Sequence, residues 1–339
     1  MQSMNKPTVL CTLPMDPAGA AIVAPVATIS VAPDVSPETL RQLIADADIL
    51  IVRNHLPADI FEWPNRLLGV VRHGVGLDMI PVESATAHGI PVANVPGSNS
   101  QAVVEYCLGA FLLLARRFHD MDRALRGTGW NEARAISNGT AELAGKTAGI
   151  VGLGNIGAAL ARACKHGLGM RVLGYQPARE KIPDFVEAVD LDTLIANSDF
   201  ISLNCPLTAE TRHLINEARL RAMKPSAVLV NASRGAVVDE AALARALAGN
   251  WIAGAALDVY AEQPLRRDHP LLALDNAVLT PHAAALTRES SAKMGIGAAR
   301  QVVQLLQGQR PDHLVNPEVW GRYEQRRARL ALSAAEKVS

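Results

Sequence analysis

Two side chains stand where a proton and an anion could be handled. His282 follows a proline at the end of the apolar run Ala277–Thr280, and imidazole is the side chain best matched to give or take a proton near neutral pH. Arg234 follows a strand-like run and precedes Gly235, so its guanidinium can point into a cleft. A bidentate fork there suits a carboxylate and polarises a carbonyl beside it. A third piece is Gly152, Gly154 and Gly157, which spell G-x-G-x-x-G between the apolar run Thr147–Val151 and a helical stretch from Ala158 to Leu168. Gly152 permits a tight turn, Gly154 lets a pyrophosphate approach the backbone, and Gly157 lets helix and strand pack closely. The helix N-terminus then offers unpaired N–H groups and a partial positive charge to phosphate. Taken singly, each piece is weak. A lone arginine is more often a surface ion pair, a lone histidine is usually structural, and the chain has 25 glycines. The surrounding elements decide.

Strand and helix signals alternate from the start. Thr8–Thr12, Val26–Val31, Ile49–Val52, Leu68–Arg72 and Pro91–Asn94 read as strands. Asp16-Pro17 and Ser36-Pro37-Glu38 open helices, and Val82–His88 forms another. Five strands separated by helices predict a parallel sheet of flavodoxin type. Its Arg72-His-Gly-Val-Gly76 segment ends a strand in glycines that could expose N–H groups to an anion. Ala102 to Arg126 reads as one long helix, followed by a polar loop over Asn131–Thr140. The second series runs through strands Arg171–Tyr175, Phe200–Asn204, Ala227–Val230 and Ala253–Leu257, with helices at Leu191–Ala196, Glu217–Met223 and Glu240–Ala248. A long helix, Thr287–Leu306, and a polar tail from Gly308 complete the chain.

Composition narrows the class. A chain of 339 residues is too long for one ordinary core, and 49% hydrophobic against 19% charged residues fits a well-buried globular enzyme. Zero formal net charge gives no sign of a nucleic-acid or membrane surface. The basic run Arg322–Arg329 reads as a solvated helix face, and Ala18–Val31, broken by Pro25, as a helix and strand of the first domain. Cys11, Cys107, Cys164 and Cys205 lack C-x-x-C spacing, which argues against a metal site or disulfide framework and for a reducing cytoplasm.

The motifs fall in one order: Pro96-Gly-Ser-Asn99, Gly152–Gly157, Cys205-Pro-Leu-Thr-Ala-Glu-Thr211, Val230-Asn-Ala-Ser-Arg-Gly-Ala-Val-Val-Asp239, Ala256-Leu-Asp-Val-Tyr260 and Thr280-Pro-His282. Together they resemble the D-isomer-specific 2-hydroxyacid dehydrogenases, from about Thr8 to Pro317. The resemblance implies two α/β domains. A dinucleotide-binding Rossmann domain, 99–289, is inserted in a flavodoxin-like substrate domain, 1–98 plus 290–339, with the active site in the cleft between them. It implies hydride transfer between NAD or NADP and a small 2-oxo or 2-hydroxy acid, in a cytoplasmic homodimer that binds neither nucleic acid nor membrane. His282 is then the acid/base and Arg234 the substrate clamp. Asp258 meets the nicotinamide carboxamide, and Gly74, Val75 and Gly76 hold the substrate carboxylate. Arg53 and Asn54 line the substrate pocket, and Asn99 is a hinge asparagine or only a helix N-cap. Further cofactor contacts are implied from Asn155, Ile156, Pro206, Ala232, Ser233 and Ala284.

Two positions depart from the family pattern. The acid that usually partners the histidine, immediately before a proline, is replaced by Gln263, with Glu262 one residue earlier. The acid that usually binds the ribose hydroxyls is replaced by Gln176, with Arg179 three residues on. Loss of that carboxylate removes its repulsion of a 2′-phosphate, so NADPH is expected to be accepted. Gln263 leaves two other readings open: a binding protein of the same fold that senses nucleotide without turnover, and formate oxidation, whose enzymes also carry glutamine before that proline.

Overall fold

The computed structural model describes residues 6–336. The chain divides into two compact units, Met1–Asn99 with Thr287–Ser339, and Ser100–Leu286. Residues 1–5 and 337–339 of the expected domain ranges lie outside the described residues.

The first unit begins with β1 (Thr8–Cys11), α1 (Pro17–Val23), β2 (Thr28–Val31), α2 (Pro37–Leu43), β3 (Ile49–Val52), β4 (Gly69–Arg72), α3 (Val82–Ala87) and β5 (Val92–Ala93). Asp16 caps α1 by accepting the Ala18 N–H, and Ser36 caps α2 through the Thr39 N–H, each ahead of a first-turn proline. The five strands are parallel in the order β2-β1-β3-β4-β5, the flavodoxin arrangement. β3 is buried along its whole length, as a central parallel strand covered on both faces must be.

The second unit opens with α4 (Ser100–Arg116), α5 (Phe118–Gly127) and α6 (Trp130–Ile136). The expected single helix over Ala102–Arg126 is therefore two, broken at Arg117, which adopts the left-handed conformation with φ 52. The expected loop after it is largely α6. There follow β6 (Thr147–Val151), α7 (Asn155–Arg162), β7 (Arg171–Tyr175), β8 (Glu187–Ala188), α8 (Leu191–Asn197), β9 (Phe200–Leu203), α9 (Glu217–Ala222), β10 (Val228–Asn231), α10 (Glu240–Ala248), β11 (Gly254–Leu257) and β12 (Ala277–Leu279). All seven strands are parallel, in the order β12-β11-β10-β9-β6-β7-β8. The chain starts at β6, runs outward to β8, then returns to β9 on the other side. That reversal makes the crevice beyond the ends of β6 and β9 the topological switch point, where doubly wound sheets bind ligands. Separate apolar cores cover the two faces, one with α4 and α7 and the other with α8, α9 and α10.

The chain then rejoins the first unit through α11 (Arg288–Gln307) and α12 (Trp320–Glu336). Thr287 and Ser290 form a reciprocal capping box at the start of α11. The segment expected to be a polar tail instead docks by α12. Tyr323 is fully buried and stacks on Trp320 with ring centroids 4.3 Å apart, an aromatic pair worth about 1 kcal/mol beyond its buried area. The arginines of this helix are not merely a solvated face. Arg322 donates to the carbonyls of Thr86 and Ala87 at the end of α3, and Arg326 to Asn65. Among the described residues no helix is long and apolar enough to cross a membrane.

Candidate active site

The glycine turn sits at the switch point. Gly152 has φ 88, and a Cβ there would press on the Asn204–Cys205 peptide at 2.8 Å. Gly157 lies so near the Gly152 carbonyl that any side chain would collide with it, which is why α7 can start flush against β6. Around Gly154, by contrast, a Cβ would meet nothing within 4 Å. The first turn of α7, with Asn155 and Ile156, has no side-chain cap and presents its backbone N–H groups to that open space. The residues present thus fit the pyrophosphate of a dinucleotide.

Gln176 directly follows β7, beside this turn. Its Oε1 accepts the Leu153 N–H at 3.1 Å and its Nε2 donates to the Ala178 carbonyl at 3.0 Å. The amide is therefore oriented by the main chain, and no carboxylate occupies its position. Arg179 is exposed and spends one N–H on the Ala188 carbonyl at 3.0 Å. Pro206, just past β9, is exposed, and its carbonyl accepts the Thr211 hydroxyl at 2.7 Å.

At the end of β10 the buried Asn231 knits the turn that carries Arg234. Its Oδ1 accepts the Ser233 N–H and hydroxyl, and its Nδ2 donates to the Arg234 carbonyl at 3.0 Å. Ala232 is half-buried and Ser233 buried in this turn. One guanidinium N–H of Arg234 donates to the Ser233 carbonyl at 2.6 Å, which sets the plane of the fork.

At the ends of β11 and β12, Asp258 organises a second turn. Its carboxylate accepts the Thr280 hydroxyl at 2.6 Å, the Ala283 N–H at 2.7 Å and the Ala284 N–H at 2.8 Å. Its backbone carbonyl accepts the His282 N–H at 2.8 Å. His282 is held there with φ 55, a left-handed conformation that persists only where its surroundings enforce it. The Thr280 hydroxyl has a single proton and gives it to Asp258, so Tyr106 is the donor in its 2.9 Å bond to Thr280. Burial of Tyr106 pushes its phenol well above the usual range. Tyr106 and Thr280 carry no motif that marks them as partners, since 174 positions separate them. Asp258 thus has a local task, holding the histidine turn, alongside the cofactor contact implied by resemblance.

The His282 ring meets Gln263. The Nδ1···Oε1 distance is 3.0 Å, so the glutamine, not Glu262, faces the imidazole. Gln263 Nε2 donates to the Tyr260 carbonyl at 3.3 Å, which aims Oε1 at the ring, so Nδ1 carries the proton and Nε2 points away from the amide.

The first unit holds the other candidates. Its glycine turn keeps its carbonyls occupied: Gly74 accepts Val95 N–H, Val75 accepts Asn94 Nδ2, and Gly76 accepts Arg72 Nε. Val75 and Gly76 supply the next two backbone N–H groups of this turn. Arg72 also donates to the Val52 and His73 carbonyls and so braces the turn, a role the motif does not advertise. His73 is buried, and its pKa is pushed down to about 4 by burial and by Arg53, so it stays neutral. Arg53 donates to the Pro14 carbonyl at 2.5 Å, and the Thr12 hydroxyl joins the Arg53 N–H to Asn54. The Asn99 Oδ1 is buried without a partner among the described residues, so it does not cap α4. All four cysteines are unpaired and buried, and burial lifts each thiol, to about 11 or 12. Among the described residues no cluster of three or more metal-ligating side chains occurs.

A doubly wound sheet with a glycine fingerprint at its switch point, and a histidine oriented by an amide beyond neighbouring strands, defines a nicotinamide-dinucleotide oxidoreductase. Comparison with known proteins gives the family. The model described as "D-isomer specific 2-hydroxyacid dehydrogenase, NAD binding domain" matches residues 108–284. A glyoxylate reductase of Korarchaeum cryptofilum is 41% identical over 292 residues, 84% of this chain and 87% of the relative. A D-3-phosphoglycerate dehydrogenase of Methanocaldococcus jannaschii is 38% identical over 314 residues, 91% of this chain and 59% of that one. The crystal structure of an NADPH-dependent glyoxylate/hydroxypyruvate reductase of Sinorhizobium meliloti, in complex with NADP and malonate, superposes with a TM-score of 0.81. It is 26% identical, covering 92% of this chain and 98% of the other. The chain belongs to the D-isomer specific 2-hydroxyacid dehydrogenase family.

Proposed function

We propose that the protein reduces a small 2-oxo acid of the glyoxylate or hydroxypyruvate type, reversibly, with His282 as acid/base and Arg234 as clamp for the substrate carboxylate and carbonyl. The observation that carries this reading is the His282–Gln263 bond on a turn hung from Asp258, which fixes the tautomer with Nε2 as the exchangeable site. The dinucleotide is held by Gly152, Gly154, Asn155, Ile156 and Gly157 at its pyrophosphate, with Gln176 toward the ribose and Ala232, Ser233, Asp258 and Ala284 further along. When bound, the nicotinamide supplies the hydride. The protein's own part is to orient the acid, hold its proton on Nε2 and neutralise the substrate carboxylate. The N–H groups of Val75 and Gly76 are assigned to a substrate anion, and unit 1 to the substrate domain. We place the enzyme in a reducing cytoplasm, in keeping with its four unpaired cysteines.

Purified protein is expected to oxidise NADPH with glyoxylate, hydroxypyruvate or pyruvate, and to leave formate untouched. Cofactor binding without turnover on a panel of 2-oxo acids would support the nucleotide-sensing alternative, and formate-dependent cofactor reduction the other. Because no acid stands at Gln176, kcat/KM for NADPH should equal or exceed that for NADH. Gln176→Asp should shift the ratio toward NADH by about tenfold or more, since a carboxylate repels the 2′-phosphate. A strong native preference for NADH would defeat this assignment.

A second copy of the chain is the proposed partner of α4–α6. α5 buries none of its residues, and Phe118, Leu125 and Trp130 are 49%, 49% and 67% exposed. A short helix with no buried face needs an outside surface to pack on. Light scattering should report a dimer, and Trp130→Glu should shift it to monomer. An unchanged mass would place the interface elsewhere.

A further inference from the structure

Gln263 is not the end of the chain of hydrogen bonds that starts at His282. Its Nε2 donates to the Tyr260 carbonyl, and the N–H of that same Tyr260–Ala261 peptide donates to Glu240 Oε1 at 2.5 Å. Glu240 is the first residue of α10, and its side chain is only 14% exposed. The peptide between them is pinned from its other side. A Cβ on Gly235 would collide with the Tyr260 carbonyl and the Ala261 nitrogen, so only glycine lets the Arg234 turn lie against this peptide.

We propose that Glu240 is the remote carboxylate partner of His282, acting through the Tyr260–Ala261 peptide and the Gln263 carboxamide. The inference rests on the assignment of His282 as the acid/base. Each link has one polarity. The carboxylate can only accept, so it draws on the Ala261 N–H and increases the negative charge on the Tyr260 oxygen. That oxygen takes the Gln263 NH₂ more strongly, and the polarised amide oxygen becomes a better acceptor for His282 Nδ1–H. Hydrogen bonds in such a chain strengthen one another, by roughly 10–30% per bond. The arrangement restores part of the stabilisation of imidazolium that a directly bonded carboxylate would give, and it locks the amide so that its oxygen cannot turn away.

Other charges near Glu240 are His269, whose Nε2 lies 3.5 Å from its second oxygen, and Glu262, Arg266 and Asp268, which line the same hollow. On the His282 side, Asp258 lies beneath the turn with its oxygens taken up by Thr280, Ala283 and Ala284. Tyr260 stays neutral, its phenol raised to about 12 by burial and by the charge of Asp258. Among the described residues the Gln263 Nε2 donates to the Tyr260 carbonyl, the link that leads to Glu240. A purely structural role for Glu240, complementing the α10 dipole, would change stability without touching the imidazole.

The test is Glu240→Gln in the full-length protein, with His282 followed by NMR of labelled imidazole without cofactor and by the pH profile of reductive kcat. Glutamine still offers an oxygen to the Ala261 N–H, so the loop survives while the charge is lost. The imidazole pKa should fall by about half a pH unit, and the alkaline limb of reductive kcat should move down with it. Glu240→Ala removes the acceptor as well, and kcat should fall about tenfold with the KM for cofactor unchanged. In a Gln263→Glu background, where a carboxylate meets the ring directly, Glu240→Gln should no longer move the titration. A Glu240→Gln protein whose His282 titration and pH limb stay in place overturns the relay. If His282→Gln leaves the pH limb intact, the acid/base assignment itself falls, whatever Glu240 does.

Discussion

His282→Gln is expected to lower reductive kcat by about a hundredfold to ten-thousandfold while cofactor affinity stays unchanged. The turn that carries residue 282 is held by its backbone, through the Asp258 carbonyl, and by the neighbouring Ala283 and Ala284 N–H groups. None of those bonds involves the imidazole, so the substitution removes a proton donor without dismantling its support. Glutamine can donate a hydrogen bond to a ketone oxygen but cannot deliver a proton at neutral pH, so only the polarising part of the role survives. The sign of the pH dependence follows. With His282 as the proposed acid, reduction consumes the proton of imidazolium, so wild-type kcat for reduction should fall as pH rises through the histidine's pKa, and oxidation should gain over the same interval. Both limbs should vanish in the variant. Equilibrium titration of cofactor, together with reductive and oxidative pH profiles, checks this. Retained kcat with both limbs intact would remove His282 from the mechanism.

The parts of this site that the sequence exposes are those in which chemistry and chain order coincide. The glycines at 152, 154 and 157 announce a turn because three backbone constraints fall within six residues, and the parallel sheets follow from apolar runs spaced by helical stretches. What stays hidden is held by main-chain atoms or by partners far apart in sequence. Glu240 reaches His282 through a peptide group, and a peptide group has no residue type to read. Tyr106 reaches Thr280 across the second unit. The helix α12 is hidden for another reason. Its anchoring residues are two aromatics, Trp320 and Tyr323, among charged neighbours, so mean polarity conceals one buried face. The break at Arg117 has no glycine or proline to mark it.

Arg234→Lys carries the second large effect. The guanidinium is oriented by its own turn, with one N–H on the Ser233 carbonyl and the backbone of 231–234 tied together by Asn231. A planar fork can keep that bond and still meet a carboxylate edge-on, whereas an ammonium is a point charge whose donors do not share a plane. Lysine at this position must give up either the Ser233 carbonyl or the second bond to substrate. In the proposed clamp the loss would fall on the substrate in both its ground and transition states, because the carboxylate would be bound throughout and the carbonyl oxygen gains charge as it is reduced. We therefore expect kcat/KM for the 2-oxo acid to drop about a hundredfold to a thousandfold, with a raised KM for that acid and a lowered kcat. The dissociation constant of the cofactor should stay put, because the pyrophosphate site proposed at Gly152–Gly157 lies on a different turn. Arg234→Ala should recover part of the lost rate when guanidinium is added to the assay, and ammonium at equal ionic strength should not substitute for it. Equal rescue by both ions would show that Arg234 contributes charge alone, and the fork geometry would lose its place in the mechanism.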